Sequence, residues 1–145
     1  MAALFESLPL SPALLQVVKE LGYTSLTPIQ ARGIPPLLAG KDVIGQSKTG
    51  SGKTAAFTLP ILQRLGESLS GQRRELRALI LCPTRELCTQ VAREVRKLGR
   101  RHSGLQVLIL SGGQPMPPQL DALEKGVHVV VGTPGRVLDH IRRKS

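Results

Sequence analysis

The stretch SKTGSGKT, which begins at Ser47, combines residue types that bind the phosphates of a nucleotide. Gly50 and Gly52 can adopt left-handed backbone conformations, so several N–H groups of the loop can point at one anion. Lys53 adds a positive charge at the start of a helix, and Thr54 offers a hydroxyl group to Mg²⁺. The strict pattern for such loops has glycine where this chain has Ser47, but a small residue still keeps the turn compact. We therefore predict that this stretch, called the phosphate loop below, binds a nucleoside triphosphate.

Three further polar segments follow apolar runs: Pro83–Leu87, Ser111–Gly113 and Gly132–Arg136. Each offers a helix start, a hydroxyl group or an arginine, which are the groups that bind phosphodiester oxygens. A single Thr-Pro or Gly-Gly pair is more often ordinary turn chemistry. Because the carboxyl ends of parallel strands share one edge of a sheet, the three segments are predicted to lie together, at the same edge as the phosphate loop.

The strands that must carry these segments are predicted from the apolar runs Ala78–Cys82, Val107–Leu110 and Val127–Val131. None of the runs alternates apolar and polar residues, a pattern typical of strands covered on both faces in a parallel sheet. Val43–Gly45 is predicted as a short fourth strand that leads into the phosphate loop, with a helix after it.

Helices are predicted from capping residues and apolar periodicity. The first runs from Pro12, with Ser11 as its cap, to a stop at Gly22; the second starts at Thr27-Pro28 and is interrupted at Pro35-Pro36. Later helices are predicted over Arg85–Arg101, Leu120–Lys125 and Gly135–Lys144. The alternation of strands and helices predicts an α/β fold, a three-layer sandwich around a mainly parallel sheet.

The composition of the 145-residue chain indicates a polyanionic partner. Twenty Lys and Arg residues against ten Asp and Glu give a formal net charge of +10, although charge alone does not separate nucleic acid from an acidic membrane surface. No apolar run approaches the ~20 residues of a membrane span, and the amino-terminal residues lack the pattern of a signal peptide. We therefore predict a cytoplasmic protein, with Cys82 and Cys88 as apolar packing residues.

Taken together, the motifs resemble the amino-terminal part of the first RecA-like domain of a DEAD-box ATP-dependent RNA helicase. Phe5 and the stretch Gly22–Gln30 resemble the adenine-reading Q motif of that family, and the phosphate loop resembles its AxTGSGKT loop, which begins with a small residue. The PTREL, GG and TPGR motifs of the family correspond to Pro83–Leu87, Gly112-Gly113 and Thr133–Arg136. The likeness covers nearly the whole chain and implies an incomplete P-loop NTPase fold.

The resemblance implies ATP and Mg²⁺ as cofactors and RNA as the partner. ATP-binding residues would be Phe5, Tyr23, Thr27, Gln30, Ser47, Lys48, Thr49, Gly50, Ser51, Gly52, Lys53 and Thr54, with Thr54 also at the metal. Gln30 would read the adenine edge, which favours ATP over GTP. RNA-binding residues would be Pro83, Thr84, Arg85, Gly112, Gly113, Gln119, Thr133, Pro134, Gly135 and Arg136. They would hold the backbone, so binding would not depend on base sequence.

Two details of the resemblance bear on the whole protein. Segments such as Leu81–Leu87 and Gly112–Pro115 look most like bacterial members of the DbpA-like branch, which implies ribosomal RNA as a target. The likeness also implies a monomer with a second RecA-like domain in the full-length protein.

By the same resemblance, residues 1–31 would be the Q-motif region and residues 32–145 the first portion of the ATP-binding domain. An Asp-Glu-Ala-Asp stretch occurs nowhere in the sequence. In the family those acidic residues position Mg²⁺ and the attacking water, and a second RecA-like half supplies an arginine finger. We therefore expect the chain to end before the DEAD motif and not to hydrolyse ATP alone. The alternatives are a nucleotide-binding module of another P-loop class and a non-catalytic RNA-binding piece.

Overall fold

A computed structural model describes residues 3–71 and 73–145, so residues 1 and 2 of the predicted Q-motif region lie outside it. Its elements, in chain order, are a 3₁₀ turn at Phe5–Ser7, α1 Pro12–Glu20, α2 Pro28–Leu38, α3 Lys53–Leu65, β1 Ala78–Leu81, α4 Arg85–Leu98, β2 Val107–Leu110, α5 Met116–Lys125, β3 Val129–Gly132 and α6 Pro134–Arg143. None of the helices in these described ranges combines the length and apolar character needed to cross a bilayer.

The chain divides into two compact units. The first runs as far as Ser68 and includes Lys97–Ser103. The second consists of Leu69–Arg96 and Gly104–Ser145. The phosphate loop and the Q-motif residues therefore belong to the first unit, and the three polar segments that follow the strands belong to the second.

Helix α1 begins and ends where the sequence predicts. The Ser11 hydroxyl accepts a hydrogen bond from the Leu14 N–H at 3.3 Å, and Pro12 opens the first turn. Gly22, just past the end, has φ +78°, a left-handed conformation in which most other residues are strained. Leu14 and Val17 are completely buried, which fixes the apolar face of the helix in the core of the first unit.

The predicted interruption of α2 at its two prolines is wrong, because the helix continues through them to Leu38. Prolines lack an N–H donor but keep their carbonyl acceptors. The Pro35 carbonyl accepts from the Ala39 N–H at 3.1 Å, and the Pro36 carbonyl accepts from the Lys41 N–H at 3.0 Å. The buried side chain of Ile34 also anchors this part of the helix, so packing and carbonyl pairing outweigh the lost donors.

The predicted strand at Val43–Gly45 is also wrong, since these residues have no regular secondary structure. A strand exists only when a neighbour pairs with its backbone. The sheet contains β1, β3 and β2 in that order, and Val43–Gly45 pairs with none of them. Ile44, which a buried strand would cover, is completely exposed.

The second unit contains the parallel sheet that the apolar runs predict, and the α/β class is confirmed. Strand β3 lies in the centre, and its register places Gly132 beside both Leu81 of β1 and Leu110 of β2. All three strands therefore end at the same level. The central strand spans Val129–Gly132, one residue beyond the predicted end of the run.

Coverage of the strands on both faces is confirmed only for β3, where every residue is buried. In β1 every second residue is exposed, including Leu79 at 50% and Leu81 at 55%. Leu79 and Leu81 are two residues apart and therefore point to the same face of the sheet, so one face of β1 is largely open while the other is better covered. The covered core between the sheet and its helices includes Leu110, Val130 and Val137.

Helix α4 ends at Leu98, before its predicted end at Arg101, and turns one apolar face into the core. Leu87 is 39% exposed, while Cys88, one residue later, is completely buried. Cys82 is buried as well, so both cysteines are packing residues, as predicted. Burial raises the pKa of Cys88 to about 11, which keeps this thiol protonated at neutral pH.

Candidate functional site

The phosphate loop has the backbone that its glycines predict. Gly50 has φ +83° and Gly52 has φ +89°, both in the left-handed region. Gly52 is the cap residue of α3, whose first helical residue is Lys53. The loop therefore turns directly into a helix whose amino end carries unpaired N–H groups and a partial positive charge.

Ser47 occupies the first position of the loop without strain. The φ angle of Ser47 is not in the left-handed region. Among the described residues other than glycine, only Lys144 has a left-handed φ. The Ser47 hydroxyl lies 2.5 Å from the hydroxyl of Ser51, so the two side chains join the first residue of the loop to its middle. The geometry here does not require glycine, and serine adds a hydrogen bond that glycine could not make.

Lys53 lies over the loop, where its Nζ donates to the Ser47 carbonyl at 2.5 Å. Lys48, Thr49 and Gly50 are exposed, and Thr54 is half-buried at the start of α3. A bound phosphate would offer Lys53 a charged acceptor in place of the neutral carbonyl, and charge-assisted hydrogen bonds are the stronger kind.

Gln30 joins the Q-motif helix α2 to the phosphate loop. Its side chain is 5% exposed, its Oε1 accepts from the Thr27 N–H at 2.9 Å, and its Nε2 donates to the Gly52 carbonyl at 3.2 Å. A Cβ atom at Gly52 would come within 2.3 Å of that Nε2 atom. The sequence therefore needs glycine at this position for two reasons, the backbone conformation and the close approach of Gln30.

These residues fit a triphosphate. The loop offers two glycines in left-handed conformations, the unpaired N–H groups of the first turn of α3, and the ammonium group of Lys53. For Mg²⁺ the loop supplies the Thr54 hydroxyl. No group of three or more His, Cys, Asp or Glu side chains in the described ranges is arranged to hold a metal ion. The Mg²⁺ position at Thr54 stays a prediction.

Phe5 and Tyr23 form a separate aromatic pair in the first unit, with ring centroids 5.8 Å apart and an interplanar angle of 35°. Phe5 is buried, and its N–H donates to the Thr24 carbonyl at 2.9 Å. The pair lines a cavity of about 510 Å³ together with residues of α1. Gln30 does not line this cavity. The structure therefore pairs Phe5 with Tyr23 at the cavity, whereas Gln30 contacts Gly52 of the phosphate loop elsewhere in the unit.

In the second unit, the aligned strand ends bring together Pro83–Leu87, Ser111–Gly113 and Thr133–Arg136, called the strand-end cluster below. The Thr84 hydroxyl accepts from the Leu87 N–H at 3.2 Å and so caps α4. The Arg85 guanidinium lies so close to Gly113 that a Cβ atom there would be 2.9 Å from Nη1. Pro83 and Gly112 are exposed beside them. Their predicted common edge is confirmed among these three segments.

The TPGR segment starts α6 from the end of the central strand. The Thr133 N–H donates to the Leu110 carbonyl at 2.9 Å, and the Thr133 carbonyl accepts from the Val137 N–H at 3.0 Å. Pro134 is the first helical residue, where a missing N–H costs nothing. Gly135 is exposed, and a Cβ atom there would meet nothing within 4 Å.

Arg136 and Gln119, both predicted from the sequence, are in direct contact. The Arg136 Nη1 donates to Gln119 Oε1 at 3.1 Å and to the Gln114 carbonyl at 3.0 Å. Gln119 is 5% exposed and donates from Nε2 to the Ser111 carbonyl at 3.4 Å. Gln119 therefore supports the arginine from below the surface.

His140 is part of this arrangement although the sequence analysis did not identify it. Its ring is 4% exposed, and its Nε2 lies 2.8 Å from Gln119 Oε1. The signal that could have found it is spacing, since His140 follows Arg136 by four residues and so shares one face of α6. On the same helix the apolar side chains of Leu138 and Ile141 are exposed, at 44% and 65%.

The chain is similar to proteins from several microorganisms. It is 52% identical over 134 residues to the ATP-dependent RNA helicase DbpA of Escherichia coli (strain K12), covering 92% of this chain and 28% of that protein. It is 47% identical over 141 residues to the DEAD-box ATP-dependent RNA helicase CshA of Bacillus cereus, covering 97% of this chain and 26% of that protein. The chain thus spans about a quarter of the length of these relatives.

A solved structure, that of a DEAD box protein from Methanococcus jannaschii, has the same fold. The TM-score is 0.86 at 39% identity, covering 97% of this chain and 37% of that chain. The sequence of residues 27–145 matches the family described as DEAD/DEAH box helicase. The chain therefore belongs to the DEAD/DEAH box helicase family.

Proposed function

We propose that this chain is the ATP-binding and RNA-backbone-binding portion of an ATP-dependent DEAD-box RNA helicase. The observation that carries the proposal is the contact between Gln30 and Gly52 at 3.2 Å. It links a base-reading amide to the loop that would hold the phosphates. The relatives whose names include "ATP-dependent RNA helicase" support the same reading.

On the nucleotide side, the phosphates would lie on the loop, with Lys53 on their charge and Thr54 on the accompanying Mg²⁺. Gln30 would discriminate ATP from GTP by the adenine edge once its amide exchanges its bonds to Thr27 and Gly52 for bonds to the base. Tyr23 would stack on the base, braced by Phe5. The likeness of Gly22–Gln30 to the Q motif, with Gln30 in contact with Gly52 of the loop, favours this reading over a nucleotide-binding module of another P-loop class.

On the RNA side, the strand-end cluster would bind backbone phosphates through arginines and helix starts. The formal net charge of +10 supports a polyanionic ligand, and phosphate contacts carry no base identity. The protein would act in the cytoplasm as a monomer, on RNA that includes ribosomal RNA, with a second RecA-like domain in the full-length form. The 145-residue chain alone would bind ATP without hydrolysing it, because it contains no Asp-Glu-Ala-Asp stretch to position Mg²⁺ and water.

Titration with a fluorescent ATP analogue tests the nucleotide site. We expect Lys53→Ala to weaken ATP binding by about 100-fold, since a charge-assisted contact to phosphate is lost. The matched control is Lys41→Ala, which removes an exposed lysine outside the loop and should leave ATP affinity unchanged. If Lys53→Ala bound ATP as tightly as the parent chain, the assignment of the phosphate loop as the ATP site would be wrong. Equal affinity for ATP and GTP would favour another P-loop class.

Titration with single-stranded RNA tests the second site independently. Arg85→Ala should weaken binding to all RNA sequences alike. The slope of log affinity against log salt concentration should fall by about one, because one phosphate contact is lost. A loss confined to one sequence would contradict a backbone role. RNA-stimulated phosphate release by the 145-residue chain would contradict the expectation that it does not hydrolyse ATP.

A further inference from the structure

A buried polar cluster of the second unit lies beneath Arg136. Gln119 and His140 are each about 5% exposed or less, and the Arg136 side chain is 15% exposed. The cluster joins α5 to α6, so it spans two elements that the sheet brings side by side. Buried polar groups of this kind hold each other in fixed orientations when each donor finds an acceptor.

The directions of the hydrogen bonds at Gln119 Oε1 follow from Arg136. A guanidinium can only donate, so the Gln119 atom that faces Arg136 Nη1 at 3.1 Å must be the oxygen Oε1. The same oxygen lies 2.8 Å from His140 Nε2, which must therefore carry a hydrogen and donate it. His140 Nδ1 lies 2.8 Å from the Ser145 hydroxyl on the other side of the ring.

Burial and two neighbouring arginines keep the His140 ring neutral. Burial lowers the pKa of His140, and the positive charges of Arg136 and Arg143 lower it further, while Asp139 opposes them. At neutral pH the imidazole is thus a neutral donor, in the tautomer with the hydrogen on Nε2. A neutral ring carries no net charge with which to attract or repel its neighbours. Its contribution to the cluster is therefore the oriented hydrogen bond from Nε2.

Arg136 has little freedom left in this arrangement. Both hydrogens of Nη1 are used, one on the Gln114 carbonyl at 3.0 Å and one on Gln119 Oε1. The Nε atom is buried, and it lies 3.9 Å from the Asp139 carboxylate. Nη2 is the remaining nitrogen of the guanidinium, and its direction is set by the two contacts of Nη1.

We propose that His140 is a positioning residue for RNA-backbone binding, which acts through Gln119 to orient the Arg136 guanidinium toward a phosphate. The proposal rests on the RNA-binding function proposed above for the strand-end cluster. His140 does not touch the RNA. It holds the acceptor of Gln119 in place, and Gln119 holds Arg136.

The test compares His140→Leu with His140→Gln in titrations of a fluorescently labelled oligouridylate. Leucine fills space without a donor, whereas the glutamine amide places an N–H near the position of Nε2. We expect His140→Leu to weaken RNA binding about tenfold and to lower the salt slope by about one, and His140→Gln to stay within about twofold of the parent chain. A role in packing alone would not distinguish these two variants in this way.

A double-mutant cycle with Arg136→Ala separates the two proposals. His140→Leu should add nothing to Arg136→Ala if both remove the same contact. If Arg136→Ala leaves RNA affinity unchanged, the proposed RNA site itself is wrong. If Arg136→Ala weakens binding while His140→Leu does not, or if the two losses add, only the positioning role is wrong.

A second variant covers the case in which His140→Leu does not fold. Gln119→Met removes the shared acceptor at similar side-chain volume, and it should reproduce the tenfold loss and the flatter salt slope. RNA affinity of Gln119→Met equal to that of the parent chain would overturn the positioning role.

Discussion

The phosphate loop of the first unit is made of consecutive residues, whereas the strand-end cluster of the second unit is assembled from three separate segments. In the loop, Ser47 and Ser51 bond to each other across four residues, and one distant side chain, Gln30, closes the arrangement. In the cluster, the positions of Arg85 and Arg136 depend on the register of the parallel strands. Two sites that we propose to bind the same ligand group, phosphate, therefore depend on different levels of structure.

This difference explains why the two sites should fail in different ways. A local loop is damaged by a change in its own backbone, and most of the surrounding core need not respond. A cluster built on strand ends is damaged by any change that shifts the strands or the helices following them. Substitutions at glycines test this contrast directly. At both sites there are glycines where the Cβ atom of a larger residue would clash with a neighbouring atom.

The largest effect is expected at Gly132→Ala, at the end of the central strand. A Cβ atom there would lie 2.4 Å from Val137 Cγ2 and 2.9 Å from the Leu110 carbonyl oxygen. One of these neighbours is backbone, so relief requires the strands to move, and we expect a loss of about 3 kcal/mol in the free energy of unfolding. Urea denaturation measures it.

The control for that substitution is three residues away. Gly135 is in α6, has no positive φ and has open space around its Cβ position. Gly135→Ala should therefore stabilise the helix by up to about 1 kcal/mol. A destabilisation of equal size at both positions would show that the register argument for the strand-end cluster is wrong.

A smaller effect is expected for Gly52→Ala in the phosphate loop. The left-handed φ costs a non-glycine residue about 1–2 kcal/mol, and the new Cβ would also displace the Gln30 amide, 2.3 Å away. Gly50→Ala carries the same backbone strain without any neighbour within 4 Å. Titration with an ATP analogue should therefore show a greater loss of affinity for Gly52→Ala than for Gly50→Ala. Equal losses would mean that the Gln30 contact contributes nothing to the loop.

The smallest effect is expected from mild acid. The pKa values of His102, His128 and His140 are all lowered, in each case chiefly by burial. The unfolded chain then binds more protons than the folded chain as the pH falls through about 6.5, so the stability these neutral rings contribute above that pH is lost below it. Unfolding free energies at pH 7.5 and 5.5 would measure the decline.

The histidines also bear on the contrast between the units. His102 belongs to the first unit, where its Nε2 lies 3.1 Å from the Leu62 carbonyl. His128 and His140 belong to the second. His102→Gln should remove part of the pH dependence, and His128→Gln with His140→Gln should remove the rest. Stability that does not change between the two pH values would contradict the burial of neutral rings in both units.

Much of the phosphate loop was predictable from the sequence, because its chemistry is local. Gly50, Gly52 and Lys53 are identified by spacing alone, and the structure gives both glycines the left-handed backbone that the pattern predicts. The starts of α1 and α2 follow from a hydroxyl residue before proline, another local signal. The residues of the parallel strands were recognisable for a similar reason, as short apolar runs.

Other features were decided by the tertiary structure. Val43–Gly45 has the composition of a strand, but no neighbour pairs with it, so no strand forms. Pro35 and Pro36 are helix breakers by type, but burial of Ile34 and pairing of their carbonyls keep α2 intact.

His140 shows the same division most clearly. The sequence by itself determined a phosphate loop, a parallel α/β sheet and the residues at its strand ends, since these depend on backbone preference and apolar pattern. Only the tertiary structure decided that His140 donates to Gln119 and that Gln119 holds Arg136. The physical reason is that a hydrogen bond between side chains 17 or 21 residues apart depends on how α5 and α6 pack, which no local pattern records.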